Sequence, residues 1–306
     1  MRVVRSVVLL LIIVATAGRT QAPAPAPIDW SEEDSTRVAF LMTHGRAHAS
    51  PPVIVWTPLD SLDPGWLASF TESLASGVAG LKSLIGGPYA WQRLGSRPIR
   101  FFLSPGRFVS HADGRGGIFI SLDRVRRGDG PFLHEAAHEL LVPPPPFYPF
   151  EYPDSLAEER AAARFPFWLS EGLPDYLAQT AAGTTGFPEG DIFAIGGLAK
   201  ADSVCAARLA ASSRQTEIRD RIGRPGRLEA LFTTDRADVA PVYYACSQSF
   251  TMHVVARLGL PAVVALFPRI PAGTWRTALE SAAGESLEGL RRRWLTALRV
   301  MPGSKD

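Results

Sequence analysis

The pentapeptide from His134 to His138, which reads H-E-A-A-H, places the tightest constraint on this chain. It lies in a run from Phe132 to Val142 that has a helical pattern and ends in apolar residues able to anchor a helix in a core. Because residues four apart share one face of a helix, both imidazoles can reach a single metal ion. Glu135 lies beside them and can contact a metal-bound water. This combination predicts a water-activating zinc site, and the alternative is a surface helix whose histidines bind nothing.

A zinc ion that activates water takes three protein ligands. No third histidine follows His138 at short spacing, because the next residues are acidic or apolar and then proline. The candidate third ligand is Glu171, in the segment F-W-L-S-E-G-L-P-D-Y-L, with 32 residues between it and His138. Glu158 and Glu159 are the alternatives, in a segment that has the pattern of a charged amphipathic helix.

The segment around Glu171 leads to two further predictions. Asp175 lies four residues later on the same helix face, where it could accept the free ring N–H of a zinc-bound histidine. Pro174 is tolerated only in the first turn of a helix, which predicts that this helix begins near Ser170 as its N-cap.

H-E-x-x-H followed by W-L-S-E-G-x-x-x-Y resembles the gluzincin zinc metallopeptidases, the clan of thermolysin and aminopeptidase N, and in particular their bacterial peptidase MA-like domains. The resemblance covers about residues 53–298, although only these two motifs are specific. It implies that His134, His138 and Glu171 bind zinc and that Glu135 is the general base. The gap of 32 residues is longer than in thermolysin-like enzymes, and a proline-rich loop at residues 143–149 could account for the excess.

The segment Y-Y-A-C-S-Q-S-F, residues 243–250, is similar to the tyrosine-bearing helix that follows the zinc site in this family. The resemblance implies that Tyr244 donates its hydroxyl hydrogen to the oxyanion of the tetrahedral intermediate. Tyr243 is the immediate alternative, and a core position for either tyrosine is also open.

The order of hydrophobic patterns predicts an α+β fold, with a small N-terminal mixed sheet and a mainly helical C-terminal half. Strands are predicted at Val53–Thr57, Arg97–Leu103 and Gly117–Leu122, with a helix at Gly65–Ile85. Further helices are predicted at Ser155–Arg164, Ser170–Thr180, Phe193–Ser213, Pro241–Leu258, Pro261–Phe267, Trp275–Ala283 and Leu287–Leu298. The resemblance implies a thermolysin-like catalytic domain with the zinc site in the cleft between the two halves.

The strand Gly117–Leu122 bears on substrate binding, because enzymes of this family commonly bind the peptide backbone along a sheet edge beside the metal. Gly116 and Gly117 would let a peptide approach closely. The alternative is a plain core strand.

The N-terminus has the pattern of an export signal. Arg2 and Arg5 precede an apolar run from Val7 to Val14, and residues 15–17 read A-T-A, an A-x-A-like cleavage site. We therefore expect a signal peptide at residues 1–17, a Pro/Ala-rich tether and N-terminal segment at 18–50, and the metallopeptidase domain at 51–300. The protein is expected to be secreted or periplasmic, with a membrane as partner only if the N-terminal segment is not cleaved.

Charge and cysteine content bear on the partners of the protein and on the compartment in which it folds. The chain has 32 basic and 30 acidic residues, and removal of residues 1–17 takes away two arginines and no acid, which leaves 30 of each. This balance argues against nucleic acid as a partner. Cys205 and Cys246 are expected to form a disulfide in an exported protein, and two buried thiols are the alternative.

Together these patterns predict an exported zinc metallopeptidase that acts on peptide or protein substrates, with Zn²⁺ as its cofactor. We expect an endopeptidase, because the glutamate-bearing motif that holds the substrate's amino group in aminopeptidases of this clan has no counterpart around Gly117. The alternatives are a non-catalytic exported zinc-binding module and a zinc hydrolase that acts on another bond.

Overall fold

A computed structural model describes residues 31–86, 97–141, 163–191, 193–226 and 236–300. Its strands are β1 (Gly45–Ser50), β2 (Val53–Pro58), β3 (Ile99–Ser104), β4 (His111–Ala112) and β5 (Gly117–Ser121). Its helices are α1 (Glu32–His44), α2 (Pro64–Ile85), α3 (Leu122–Arg127), α4 (Phe132–Leu141), α5 (Phe167–Thr185), α6 (Ala201–Ala211), α7 (Gln215–Arg221), α8 (Arg236–Leu258), α9 (Leu260–Val264), α10 (Trp275–Ala283) and α11 (Leu287–Val300). Single-turn 3-10 helices lie at Leu198–Lys200 and Phe267–Arg269.

The strands form one mixed sheet in the order β1-β2-β3-β5-β4. β2, β3 and β5 run parallel, whereas β1 and β4 pair antiparallel with β2 and β5. Successive side chains alternate between the faces, so Phe101 joins the main core while Phe102 and Phe119 point to the other side. Helices α2 and α4 cover the core face, and α1 covers the other face through Val38 and Leu41. A mixed sheet followed by helices confirms the predicted α+β class.

The sheet layer begins before the predicted domain boundary. β1 pairs with β2 from Gly45 opposite Pro58 to Ser50 opposite Val53, and α1 packs on the sheet. A boundary at residue 51 therefore cuts through one sheet, and the folded unit includes residues 32–50. The predicted signal peptide, and the part of the tether before residue 31, lie outside the described residues.

The strand β5 lies between β3 and β4 in the sheet. It pairs with β3 on one side, and on the other side β4 pairs with it at Ile118 and Phe119. All five residues of β5 are buried. The expectation of a free edge along this strand for peptide pairing is therefore wrong at these two positions, because the short strand β4 already occupies that side.

The helical half packs on α4 through α5, which lies against α2, α4 and α8. The close approach of α5 and α8 depends on Gly172, since a Cβ at this position would overlap the Ser247 carbonyl group and the Thr251 hydroxyl oxygen. This contact holds α5 close to α8 at Gly172, next to Glu171.

The helix α5 begins at Phe167, so the predicted start with Ser170 as N-cap is wrong. Ser170 lies inside the helix, and its hydroxyl donates to the Phe167 carbonyl oxygen over 3.0 Å. Pro174 is also internal, which removes one main-chain hydrogen bond. Tertiary packing outweighs this loss, because Trp168, Leu173 and neighbouring apolar residues of the helix are fully buried.

Other predicted helices match in part. The helix predicted at Phe193–Ser213 begins at Ala201, after a single 3-10 turn, because Gly196 and Gly197 adopt positive φ angles that interrupt it. The predicted segment Pro261–Phe267 is the shorter α9, while α10 and the start of α11 agree with prediction. Most of the segment predicted at Ser155–Arg164 lies outside the described residues.

A disulfide joins Cys205 of α6 to Cys246 of α8, with 4.7 Å between their Cα atoms. The expectation of a disulfide is confirmed, and the bond ties two helices of the C-terminal half together. Within the described ranges no single helix is long and apolar enough to cross a membrane; one pair bent by 117°, Ala237–Leu258 with Leu260–Arg269, meets the criterion by length and composition only.

Candidate metal centre

The helix α4 carries the H-E-A-A-H segment into the interior. All ten of its residues are buried, because its apolar side chains, among them Leu133, Ala137 and Leu140, belong to the main core. This burial removes the alternative of a solvated surface helix. The rings of His134 and His138 come together on one face, with their centroids 4.7 Å apart.

Three donor atoms converge at this face. Nε2 of His134 lies 3.0 Å from Nε2 of His138. Oε2 of Glu171, on α5, lies 3.7 Å from the first nitrogen and 3.6 Å from the second. These residues form a group that could hold a metal ion. Glu158 and Glu159, the alternative third ligands, lie outside the described residues.

The spacing of the three atoms fits a first-row metal. A triangle with sides of 3.0, 3.6 and 3.7 Å has a circumradius of about 2.0 Å, and zinc binds histidine nitrogen and carboxylate oxygen at about 2.0–2.2 Å. Two imidazoles and one carboxylate suit zinc, and imidazole-rich sites also accept other divalent ions of the first row. The geometry therefore supports a metal site without selecting the metal.

Asp175 contacts the ring nitrogen of His134 that does not face the other two donor residues. Its Oδ1 lies 2.6 Å from Nδ1 of His134, as the spacing from Glu171 predicts. Burial lowers the pKa of His134, but the carboxylates of Asp175, Glu171 and Glu135 together more than offset this and raise that pKa well above its ordinary value. The same contact holds the ring so that Nε2 faces His138 and Glu171.

The Glu171 carboxylate is stabilised in its charged form. Burial alone would raise its pKa, but the adjacent rings of His138 and His134 lower it well below its ordinary value. An ionised carboxylate between two imidazoles is the form that binds a cation.

Glu189 holds the N-terminal end of α4, a role that the sequence does not predict. Its two carboxylate oxygens accept the main-chain N–H groups of Leu133 and His134 over 2.8 and 3.0 Å. These are two of the N–H groups that a helix leaves unpaired in its first turn. Burial raises the pKa of Glu189 to about 8, although the two N–H groups act in the opposite direction.

Glu139 anchors the far end of the same helix. Its carboxylate accepts the N–H groups of Gly114 and Gly116 over 2.5 and 2.8 Å. The glycine-rich loop before β5 is therefore bound to α4, one residue beyond His138. His111 of β4 lies 3.0 Å from Asp34 Oδ2 of α1 through its Nε2.

A cavity of about 190 Å³ adjoins the donor group on the His134 side. Glu135 and Asp175 line it together with Tyr244, whose ring stacks on Phe193 with centroids 4.2 Å apart. The structure thus brings Glu135 and Tyr244 to the same space beside the donor group.

Tyr243 occupies a different position from Tyr244. It is only 1% exposed, and its hydroxyl has no hydrogen-bond partner among the described residues. Burial raises its pKa, and the nearby Glu171 carboxylate raises it further. Tyr243 is thus a core residue behind Glu171, whereas Tyr244 is the tyrosine that faces the cavity.

Comparison with protein-family models, with curated proteins and with solved structures gave no match to this chain.

Proposed function

We propose that this protein is an exported zinc-dependent metallopeptidase of the gluzincin type, and that it acts as an endopeptidase. The observation that carries the proposal is the convergence of His134, His138 and Glu171, with Glu135 lining the adjoining cavity. A structural zinc site prefers four protein ligands and has no use for a carboxylate placed beside it. Three donors next to a cavity that contains a carboxylate support a hydrolytic site.

His134, His138 and Glu171 would hold the metal. When bound, zinc supplies a Lewis acid that polarises the scissile carbonyl group and lowers the pKa of a water molecule. Glu135 takes the proton of the attacking water and later passes it to the leaving amine. Tyr244 donates its hydroxyl hydrogen to the developing oxyanion, and Asp175 keeps His134 in one orientation.

Export is supported by two independent features of the chain. The sequence pattern at residues 1–17 is that of a signal peptide, and the Cys205–Cys246 disulfide suits an oxidising compartment. The membrane would be a partner only through an uncleaved N-terminal segment. The thermolysin-like arrangement of the whole domain belongs to the same proposal.

Cleavage of a labelled unfolded protein by the purified, zinc-loaded chain tests the proposal. We expect turnover by the wild type and a loss of about 100-fold or more in Glu135→Gln, because this change removes the general base. Glu72→Gln, at an exposed position of α2, is the matched control and should keep full activity.

Two outcomes would contradict the proposal. Equal turnover by wild type and Glu135→Gln would separate the activity from this site. A wild type that binds zinc but cleaves no unfolded protein and no peptide would instead indicate a non-catalytic zinc-binding module or a hydrolase of another bond.

A further inference from the structure

The cavity beside the donor group has the size of one side chain. Its volume is about 190 Å³, and a cavity of about 150 Å³ is enough to hold benzene. One wall is α5, another is formed by residues 189–191 with Phe193, Ile195 and Gly197, and a third includes Gln248, one helical turn after Tyr244 on α8. A pocket of this size next to reacting groups selects a single residue of a substrate and not a long segment.

The charged groups on its walls are mostly acidic. Four carboxyl groups line it, those of Glu135, Asp175, Glu189 and Asp191, together with the guanidinium of Arg124 and the imidazole of His134. Because burial raises the pKa of Glu189 to about 8, the negative charge comes mainly from the other three carboxylates. The Arg124 guanidinium donates to the Asp129 carbonyl oxygen. The excess of negative charge favours a cationic group in the cavity.

The acidic groups already accept main-chain donors, and they retain capacity for more. Asp191 accepts the N–H groups of Ile195 and Gly196, and Glu189 accepts two at the start of α4. Because each carboxylate has about four lone-pair sites, both can also accept from an ammonium or guanidinium group.

Two oxygen atoms of residues that line the cavity lack a donor among the described residues. Gln248 is 2% exposed, and its Oε1 has no hydrogen-bond partner among the described residues. Oδ2 of Asp175 is likewise buried and without a partner there, while Oδ1 is used by His134. Buried acceptors without donors are costly, so the side chains of Gln248 and Asp175 gain from any rotation that brings a donor of a ligand within reach.

Apolar side chains form part of the remaining wall. Ala178, Phe193 and Ile195 line the cavity between the polar groups. Apolar walls combined with acidic groups suit a side chain with an aliphatic stem and a cationic head. An α-ammonium group alone would leave the apolar walls unused.

We propose that this cavity is a specificity pocket that takes the lysine or arginine side chain of a peptide substrate. The stem packs against Phe193 and Ile195, and the head lies against Asp191, Glu189 and Gln248. This inference rests on the proposed peptidase function and names the substrate class of the same site.

The test measures peptide binding to the mature Glu135→Gln protein, in which we expect turnover to be slower by about 100-fold or more. The probes are three pentapeptides: one with lysine at its centre and both ends blocked, one with norleucine there and both ends blocked, and one with norleucine and a free N-terminus. We expect the lysine peptide to bind about tenfold more tightly than its blocked norleucine counterpart, because it adds charge-assisted hydrogen bonds. Asp191→Asn and Gln248→Leu, each added to Glu135→Gln, should reduce that ratio, while Glu72→Gln should leave it unchanged.

The ratio of the two blocked peptides corrects for variants that fold poorly, since misfolding weakens both. Equal affinities, no measurable binding of any peptide, or a ratio unaffected by Asp191→Asn and Gln248→Leu would overturn the pocket. Preference for the free N-terminus over the lysine side chain would assign the cavity to an α-ammonium group and also overturn it. A lysine preference without cleavage by the wild type would refute the peptidase proposal alone, and cleavage without a lysine preference would refute the pocket alone.

Discussion

The Asp175 carboxylate and the Nδ1 atom of His134 lie 2.6 Å apart, although 41 positions separate them in the chain. The contact joins α5 to α4 and orients the His134 ring, so that its Nε2 faces His138. Glu171, one turn before Asp175, then meets both rings. One turn of α5 therefore supplies both the donor Glu171 and the carboxylate of Asp175 that orients the donor His134.

Removal of Asp175 should weaken metal binding. We expect Asp175→Ala to lower zinc affinity by about 10–100-fold, because outer carboxylates fix the orientation and basicity of a ligating histidine. Competition with a chromophoric chelator measures the change, and Asp123→Asn, at a half-exposed position of α3, is the charge-matched control. Unchanged affinity in Asp175→Ala would show that packing alone orients His134.

Removal of Glu189 should destabilise the fold through the first turn of α4. We expect Glu189→Ala to reduce the free energy of unfolding by about 1–2 kcal/mol, since the Leu133 and His134 N–H groups lose their acceptors. Glu189→Gln keeps an acceptor oxygen and should lose less. Urea denaturation of the metal-free proteins measures both, and equal stability of wild type and Glu189→Ala would argue against the capping role.

Replacement by alanine should have different effects on stability at two glycines of α5. A Cβ at Gly172 overlaps main-chain atoms of Ser247, whereas a Cβ at Gly183 meets nothing within 4 Å. We expect Gly172→Ala to destabilise the protein by about 1–3 kcal/mol or more, and Gly183→Ala to be neutral or slightly stabilising because alanine favours helix. Thermal unfolding of the two variants checks this contrast, and similar shifts in both would show that α5 and α8 can separate without cost.

The His111–Asp34 pair should make stability depend on pH. Burial lowers the pKa of His111, but Asp34 and the Val109 carbonyl more than offset this and raise it above 6.5. Burial raises the pKa of Asp34, but His111, Ser31 and Arg37 together lower it below 3.8. The histidine contribution is complete below pH 6.5 and is lost as the pH rises through its raised pKa. The aspartate contribution is complete above pH 3.8 and is lost as the pH falls through its lowered pKa.

The pair therefore stabilises most at about pH 4–6.5. Asp34→Asn should cost more stability at about pH 5.5 than at about pH 9, as measured by urea denaturation at both values. The difference between the two pH values should disappear in a His111→Gln background. An Asp34→Asn loss that is the same at both values would exclude His111 as the titrating partner.

Local sequence patterns predict the residues that share one helix at this site, but not the residues that reach it from distant parts of the chain. α4 follows from the spacing of His134 and His138, and Asp175 follows from its spacing to Glu171, because both depend on one helical period. Glu189 could not be found in this way, since it reaches α4 through a contact 55 positions away that leaves no periodic signal. The predicted start of α5 at Ser170 is wrong because the free-energy cost of Pro174 inside the helix is smaller than the gain from burying the apolar residues around it.

The strands of the sheet likewise differ in how far the sequence predicts them. The hydrophobic runs of β2, β3 and β5 are visible in the sequence, and these strands form its centre. β4 is only two residues long, too short for a pattern, although it occupies the edge of β5 at Ile118 and Phe119. β1 is partly polar and gains its place by pairing with β2.

Elemental analysis of the purified mature chain tests the metal centre most directly. The wild type and Glu135→Gln should each hold about one zinc ion per chain, because Glu135 is not among the three donors. Glu171→Ala should lose most of the metal while keeping the circular dichroism spectrum of the wild type. A wild type without metal, or full metal retention in Glu171→Ala, would contradict a centre built from His134, His138 and Glu171.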